Sequence, residues 1–134
     1  MNTKELIGAA RAARASAYSP YSHVTVGAAL LCRDGRIFTG ANIENASYGA
    51  TVCAERVALY SAIHEGYRDF VAIAVSGGNE GEGGKGGFYP CGICRQTLAE
   101  FANDGFKVIL EDGEGEKILE LSDLLPYSFT QKLL

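Results

Sequence analysis

The feature that most constrains the fold is a β-hairpin signal in the first third of the chain. Residues 24–32 are apolar and rich in residues that favour strands, and Asp34-Gly35 after them is a strong signal for a two-residue turn. Residues 36–41 can then return as a second strand. The sequence therefore predicts an antiparallel pair of strands, to which the remaining elements of the fold must be added.

The other elements follow from helical spacing, strand-like runs and capping signals. In chain order we expect first a helix that starts at Asn2 and whose apolar face is formed by residues 6, 7, 10, 13 and 17, then the hairpin, then a helix over 52–65 capped by Thr51 and ended by Gly66. These are followed by a strand over 70–75, a helix from Pro90 to about Asn103, strands at 108–110 and 118–121, and a short helix capped by Ser122 and ended by Pro126. Helices interleaved with about five strands indicate an α/β protein with a sheet between helical layers.

Size and charge narrow the class of protein. The chain has 134 residues, 47% of them hydrophobic, so a single domain over residues 1–134 can bury a core without disulfides. The formal net charge of -4 gives no basic excess for nucleic acid, so we expect a small-molecule ligand and neither nucleic acid nor membrane as partner. With no leader peptide and no apolar run of membrane-spanning length, we expect a soluble, cytoplasmic protein.

Three of the four cysteines lie at predicted helix starts. Cys53 belongs to one start, and Cys91 and Cys94 belong to another, where their spacing puts them on one helix face. Unpaired backbone N–H groups and the positive end of the helix dipole stabilise thiolates at such positions. Three thiolates converging from two helices would hold a zinc ion and leave its fourth position open, as in a catalytic site.

Glu55 lies two residues after Cys53, within reach of a water molecule at such an open position. The Cys-x-Glu of residues 53–55 and the Pro-Cys-x-x-Cys of residues 90–94 together match the pattern of zinc deaminases. In these enzymes the metal activates water for attack on a ring carbon of the base, and the glutamate carries protons. The sequence therefore predicts Zn²⁺ as cofactor, Cys53, Cys91 and Cys94 as its ligands, and Glu55 as the catalytic residue.

Five segments, taken in order, resemble the small cytidine deaminases over nearly the whole chain. They are Pro20-Tyr21-Ser22 with residues 26–30, residues 40–49, Cys53-Ala54-Glu55-Arg56, residues 90–96, and Leu124-Leu125-Pro126. The resemblance implies a three-layer α/β/α fold of the cytidine deaminase type with a mixed sheet. It also implies hydrolytic deamination of cytidine or deoxycytidine to uridine or deoxyuridine in pyrimidine salvage. A homotetramer with active sites at subunit interfaces and one zinc ion per subunit is the expected assembly.

The same resemblance assigns further site residues. It implies that Asn42 and Glu44 hydrogen-bond the ribose hydroxyl remote from the 5' end, and that the stretch from Ala46 to Tyr48 comes from a neighbouring subunit. Arg56 would hydrogen-bond the cysteine sulfurs. A cation there offsets the net negative charge of three thiolates on one Zn²⁺, which would otherwise oppose loss of a proton from the bound water.

The base-binding side of the site carries one expected contact and two departures from the family. Phe129 would stack on the pyrimidine from across an interface. Val24 stands where family members commonly have an aromatic residue that helps to sandwich the base, and the glycine-rich segment 77–89 is longer than expected. A modified cytosine nucleoside or an aminopyrimidine nucleoside antibiotic is therefore an alternative substrate.

Two other classes of protein compete with a deaminase. A zinc site closed by Cys32 as fourth ligand would make the chain a non-catalytic binding module, although Cys32 lies in an apolar run where a buried thiol is the simpler interpretation. A dithiol redox protein using Cys91 and Cys94 would leave Cys53 and Glu55 without a role. The isolated His23 and His64 are not expected to bind the metal. Residues 81–86 formally fit the glycine pattern of a dinucleotide-binding loop, but the acidic side chain of Glu82 would repel a pyrophosphate, so we do not expect a phosphate site there.

Overall fold

The hairpin is the first part of a five-stranded mixed sheet. The computed structural model describes residues 1–113 and 115–134. Its elements are α1 (Thr3–Ala13), β1 (Val24–Cys32), β2 (Ile37–Ala41), α2 (Ala54–His64), β3 (Phe70–Asn79), α3 (Gly92–Phe101), β4 (Ala102–Asp112), β5 (Gly115–Glu120) and α4 (Leu121–Leu124). The strand order is β2-β1-β3-β4-β5, in which β3 and β4 are parallel and the other neighbours antiparallel. The predicted mixed sheet is confirmed.

Helices cover both faces of the sheet, and successive side chains of β1 are buried under helices on opposite faces. Ala28 and Leu30 belong to a buried cluster shared with α2, α3 and α4, whereas Ala29 between them belongs to the cluster under α1. Because successive side chains of a strand point to opposite faces, a strand covered on both sides is apolar at every position. The three-layer arrangement follows, and it explains why β1 is a continuous apolar run.

The predicted helix starts need three corrections. Cys53, not Thr51, is the N-cap of α2, and the Thr51 hydroxyl instead accepts a hydrogen bond from the Asn45 amide at 3.2 Å. Cys91 is the N-cap of α3, so Pro90 precedes the cap. Glu120 rather than Ser122 is the N-cap of α4. Asn2 does cap α1, because its side chain accepts a hydrogen bond from the Glu5 amide at 3.0 Å.

The glycine-rich segment is partly strand. β3 continues to Asn79, beyond the predicted end at residue 75, because residues 76–79 pair with the first residues of β1. The chain then folds back, and the Lys85 amide donates to the Gly77 carbonyl at 2.8 Å. Gly84 lies against the buried carboxylate of Glu111, where a Cβ would fall 1.6 Å from Oε1. A side chain at position 84 would therefore displace the Glu111 carboxylate.

Strand directions bring the starts of α2 and α3 to one edge of the sheet. β2 and β3 each run antiparallel to β1, so they run in the same direction and end at the same edge. α2 follows the end of β2, and α3 follows the end of β3. Val24, the first residue of β1, lies at this edge too, opposite Asn79. In the described part of the chain, every helix is too short or too polar to cross a bilayer.

Candidate metal centre

The sulfur atoms of Cys53, Cys91 and Cys94 meet at the shared edge of the sheet. All three lie within 4.8 Å of one another. Cys53 and Cys91 are the N-caps of α2 and α3, and Cys94 lies in the first turn of α3. Cys94 is buried, Cys53 is half-buried and Cys91 is exposed. The cluster thus connects the protein interior with the surface at Cys91.

The spacing of the sulfurs fits a zinc ion. Zinc–sulfur bonds of about 2.3 Å at tetrahedral angles separate two sulfur ligands by about 3.8 Å. The Sγ atoms of Cys53 and Cys91 are 3.7 Å apart. Cys32 is not part of this group, because it lies at the opposite end of β1. The donor set therefore fits a metal site with three protein ligands and argues against the closed site that would use Cys32.

Hydrogen bonding between the thiols shifts the pKa values of Cys53 and Cys94 in opposite directions. Hydrogen bonding with Cys94 is the main effect that lowers the pKa of Cys53 to about 5, against the opposing effect of burial. The pKa of Cys94 is raised well above its ordinary value, because its proton is hydrogen-bonded to Cys53 and the side chain is buried. Without a cation the pair therefore shares a proton, which a divalent metal must displace.

Arg56 contributes a positive charge beside the sulfurs. Its Nη2 donates to the Cys53 Sγ at 3.5 Å, and hydrogen bonds to Cys53 and Cys94 raise the pKa of its guanidinium although burial opposes this. Its Nε atom is buried and has no hydrogen-bond partner within the described residues. The guanidinium therefore lies against the Cys53 sulfur.

Glu55 is a buried carboxyl group in the first turn of α2. Only 4% of the residue is exposed. Desolvation is the main cause that raises its pKa to about 7, and the charge on Cys53 adds to it. A carboxyl group with a pKa near neutrality can both accept and release a proton at physiological pH. Glu55 therefore has the properties of a proton carrier beside the sulfur cluster.

Asn42 is placed to connect β2 to the start of β1. Its Oδ1 accepts from the Val26 amide at 2.9 Å, and its Nδ2 donates to the Val24 carbonyl at 2.9 Å. The residue is buried. Each end of the amide retains capacity for one further hydrogen bond. Asn42 thus has a structural role and can also bind a hydroxyl group.

Glu44 is held by the turn before β1. Its Oε1 accepts from the amides of Tyr21 and Ser22 at 2.9 and 3.1 Å, and its Oε2 accepts from the Ser22 hydroxyl at 2.5 Å. The Ser22 hydroxyl is the main cause that lowers the pKa of Glu44. The sequence comparison with the family gave no role to Ser22, although it lies in a matching segment. Only contacts across the fold reveal it.

The remaining candidate residues lie at the surface. Tyr48 is 75% exposed and packs edge-on against Tyr21, with ring centroids 5.8 Å apart. Ala46 is also exposed, and Val24 is half-buried. Phe129 is 60% exposed, and its carbonyl accepts from the Gln96 side chain at 2.7 Å, so the C-terminal tail is held against α3. These side chains are therefore free to contact a ligand or another chain.

Two contacts near Cys91 were not predicted from the sequence. Arg95 Nε donates to the Pro90 carbonyl at 2.7 Å, and Arg95 Nη1 donates to the Leu124 carbonyl at 2.9 Å. The side chain therefore ties the segment before Cys91 to the end of α4. A cleft of about 640 Å³ lies farther along, between the end of α3 and the C-terminal tail, and its lining includes none of the three cysteines.

Comparison with known proteins agrees with this site. Residues 1–110 match the family model described as the cytidine and deoxycytidylate deaminase zinc-binding region. A cytidine deaminase of Halalkalibacterium halodurans is 50% identical over 131 residues, which cover 97% of this chain and 96% of that protein. A blasticidin-S deaminase of Bacillus cereus is 33% identical over 109 residues, 79% of this chain and 77% of that protein.

A solved structure shows the same fold at comparable similarity. The crystal structure of cytidine deaminase from Burkholderia pseudomallei has a TM-score of 0.85 and 47% sequence identity, and the match covers 96% of this chain and all of that chain (100%). The expected fold type is thereby confirmed. A zinc-binding family model, curated relatives and the cluster of three cysteines all agree. The chain therefore belongs to the cytidine deaminase family of zinc-dependent enzymes.

Proposed function

We propose that the protein catalyses the hydrolytic deamination of cytidine and deoxycytidine to uridine and deoxyuridine, with release of ammonia. One observation carries this proposal. The sulfur atoms of Cys53, Cys91 and Cys94 lie within 4.8 Å of one another, and the buried carboxyl group of Glu55 follows Cys53 by two residues. Zinc held by Cys53, Cys91 and Cys94 supplies Lewis acidity that makes water acidic near neutral pH.

Glu55 moves the protons of the reaction. In its ionised form it accepts a proton from the attacking water, and it then delivers that proton to ring N3 as the water oxygen adds to C4. The carboxylate, ionised again, then takes the remaining proton of that oxygen and passes it to the amino group, so that the C4–N bond breaks, ammonia leaves and C4 keeps a carbonyl oxygen. Burial supports this role, because it raises the pKa of this carboxyl group, to about 7 in the metal-free protein, and so opposes the lowering that a nearby Zn²⁺ would cause.

Arg56 and the helix starts support the metal site without taking part in proton transfer. The guanidinium lies 3.5 Å from the Cys53 Sγ and offsets the negative charge of the thiolates. The starts of α2 and α3 add backbone N–H groups and the positive ends of their dipoles. These charges favour deprotonated sulfur and therefore favour metal binding.

Asn42 and Glu44 bind the sugar in this proposal. Both residues follow the end of β2, at the sheet edge where α2 and α3 begin. Asn42 has one donor and one acceptor site left, and Glu44 is kept ionised by its hydrogen bonds. A hydroxyl of the sugar can donate to the carboxylate, which favours a nucleoside over the free base.

A homotetramer with active sites at its interfaces completes the proposal. Tyr48 and Phe129 are both more than half exposed, and Ala46 is exposed beside Tyr48. Large aromatic side chains at the surface are suited to contact a neighbouring subunit and its substrate. We assign the enzyme to pyrimidine salvage in the cytoplasm, with one zinc ion per subunit.

A second substrate class is favoured by one position. Val24 is half-buried at the edge of the sheet that carries the metal site, and its small side chain leaves more space there than an aromatic would. The similarity to a blasticidin-S deaminase supports a modified cytosine nucleoside or an aminopyrimidine antibiotic as the alternative substrate.

The direct test is an ammonia-release assay with purified protein on cytidine, deoxycytidine, base-modified analogues and blasticidin S. Bound zinc is measured on the same samples. We expect turnover of cytidine and deoxycytidine with one zinc ion per chain.

Glu55→Ala should retain zinc and lose nearly all turnover, while Glu65→Ala, at an exposed position, serves as the matched control. Substantial turnover by Glu55→Ala would refute the proton-carrier role. A cobalt-substituted protein whose spectrum shows four sulfur ligands would instead favour a structural metal site.

A further inference from the structure

The turn that precedes β1 is fixed at both ends. We call residues 19–23 the pre-β1 turn. The His23 amide donates to the Ser19 carbonyl at 3.0 Å, which closes the turn, and the Glu80 amide donates to the His23 carbonyl at 2.8 Å. His23 has a φ of 59°, which is unusual for a residue with a side chain. Such a conformation persists only where surrounding contacts hold it.

The strongest contacts of the pre-β1 turn run to Glu44. Three donors of the turn reach this one carboxylate: the amides of Tyr21 and Ser22 on Oε1, and the Ser22 hydroxyl on Oε2 at 2.5 Å. A carboxylate oxygen accepts about two hydrogen bonds. Oε1 is therefore filled by the two amides, and Oε2 keeps one acceptor site beside the Ser22 hydroxyl.

The direction of the Ser22 hydroxyl proton is determined by its other neighbour. The Val24 amide donates to Ser22 Oγ at 3.0 Å, so the oxygen is an acceptor toward Val24 and must direct its own proton to Glu44. Ser22 thus connects the carboxylate proposed to bind the sugar with the first residue of β1. A bond from a neutral donor to a charged acceptor is among the stronger hydrogen bonds of proteins.

We infer that Ser22 is a positioning residue for sugar recognition, because its hydroxyl fixes Oε2 of Glu44 so that one acceptor site on this oxygen is presented to a hydroxyl of the substrate. This inference rests on the proposed function, and in particular on the proposed contact between Glu44 and the 3' hydroxyl. Ser22 is exposed and is not required by the hydrophobic core, so removing its hydroxyl should leave the fold intact.

The test compares two substrates that differ only in the sugar. Cytidine carries the 3' hydroxyl, and 3'-deoxycytidine lacks only that group. We expect Ser22→Ala to lower kcat/KM for cytidine about tenfold, mainly through KM, because the lost bond has a charged acceptor. For 3'-deoxycytidine, or for its Ki against cytidine if turnover is slow, the same variant should match the wild type. Ser22→Gly, which also removes the hydroxyl, should behave alike.

Two further variants separate positioning from general damage. Ser22→Thr retains the hydroxyl and should restore cytidine kinetics. Ser19→Ala is the matched control, since Ser19 lies in the same turn and, within the described residues, forms its hydrogen bond through the backbone carbonyl and not through the hydroxyl. In a Glu44→Ala background, adding Ser22→Ala should change kcat/KM little, because the two residues act as one unit. Zinc content and unfolding midpoint are measured for every variant.

Each outcome decides the inference. An equal loss on both substrates, or no loss on cytidine with an active wild type, would overturn the role of Ser22 and leave the proposed deaminase activity standing. A folded, zinc-loaded wild-type protein that releases no ammonia from cytidine would overturn both.

Discussion

The position of α2, and with it Cys53 and Glu55, depends on the absence of a side chain at Gly40. This residue lies in β2, and a Cβ built on it would fall 2.5 Å from the Ala58 amide nitrogen and 2.6 Å from the Ala54 carbonyl oxygen. Both atoms belong to the backbone of α2, which cannot rotate away as a side chain would. A Gly40→Ala substitution must therefore move the helix relative to the sheet.

The size of the displacement follows from the contact distances. Ordinary van der Waals contacts begin at 3.4 Å, so relieving a 2.5 Å contact moves the start of α2 by about 0.9 Å. A misplacement of about 1 Å costs on the order of 100-fold in rate when it affects the reacting geometry. We expect Gly40→Ala to lose about 100-fold in kcat/KM, to bind zinc more weakly, and to be destabilised by about 1–3 kcal/mol from overpacking.

The assay combines kcat/KM for cytidine, zinc affinity by competition with a chelator, and urea unfolding. Gly8→Ala is the control, because a Cβ at this position of α1 meets nothing within 4 Å and should stabilise the helix by about 0.5–1 kcal/mol. Gly40→Ala with the kcat/KM and zinc affinity of the wild type would refute the idea that contact with β2 determines where Cys53 and Glu55 lie.

Three further predictions concern charge. In zinc-free protein, burial raises the pKa of Glu55 from 4.5 to about 7, so the stability associated with its bound proton is present below pH 4.5 and is lost as the pH rises through 7. Between pH 4 and pH 8 the free energy of unfolding in urea should therefore fall by about 3 kcal/mol more for the zinc-free wild type than for zinc-free Glu55→Gln. An equal fall for both proteins would contradict a buried carboxyl group. Arg56→Gln should raise the Kd for zinc about tenfold or more in chelator competition, while Arg33→Gln, whose side chain is 61% exposed, should not change it. Arg11→Met leaves the Glu111 carboxylate buried without its cation and should lower the free energy of unfolding in urea by about 2–3 kcal/mol. Arg33→Met, at the exposed ion pair with Asp69, should lower it by less than about 1 kcal/mol, and similar costs would show that burial of Glu111 is unimportant.

The sequence predicts elements well where the determining contacts are local. Asn2 caps α1 through a bond to an amide three residues away, and Gly66 ends α2 with a φ of 93°, which glycine adopts freely. The limits of β1 agree with the apolar run, because Ala28, Ala29 and Leu30 in the strand alternate between the two buried clusters. Each signal lies within a few residues of its effect.

The failed element boundaries depend on partners far away in sequence. Residues 76–79 carry glycine and polar side chains that indicate a loop, yet they extend β3 because the start of β1 offers them pairing partners. β4 likewise runs from Ala102 to Asp112, far beyond residues 108–110, because β3 and β5 pair with it on either side. A single sequence contains no local signal for such pairing.

In the candidate site, too, the contacts marked by local motifs could be predicted, and those between residues far apart in sequence could not. The meeting of three sulfurs could be expected from two short motifs, since each motif marks a helix start. The contact of Ser22 with Glu44 joins residues 22 positions apart, and the ion pair of Arg11 with Glu111 joins residues 100 positions apart. Those partners depend on the order of strands in the sheet, which the local patterns do not specify.

The two helix starts lack the side-chain caps that most helices use, and this links the fold to the chemistry. In the described structure neither Cys53 nor Cys91 makes a side-chain hydrogen bond that caps its helix. A serine or aspartate there would satisfy one free N–H group of the first turn. With cysteine at both caps, the unpaired donors and the positive ends of both dipoles remain available to the sulfur cluster. Weaker capping of α2 and α3 thus favours the thiolates that a zinc ion requires, and metal binding in turn stabilises the two helix starts.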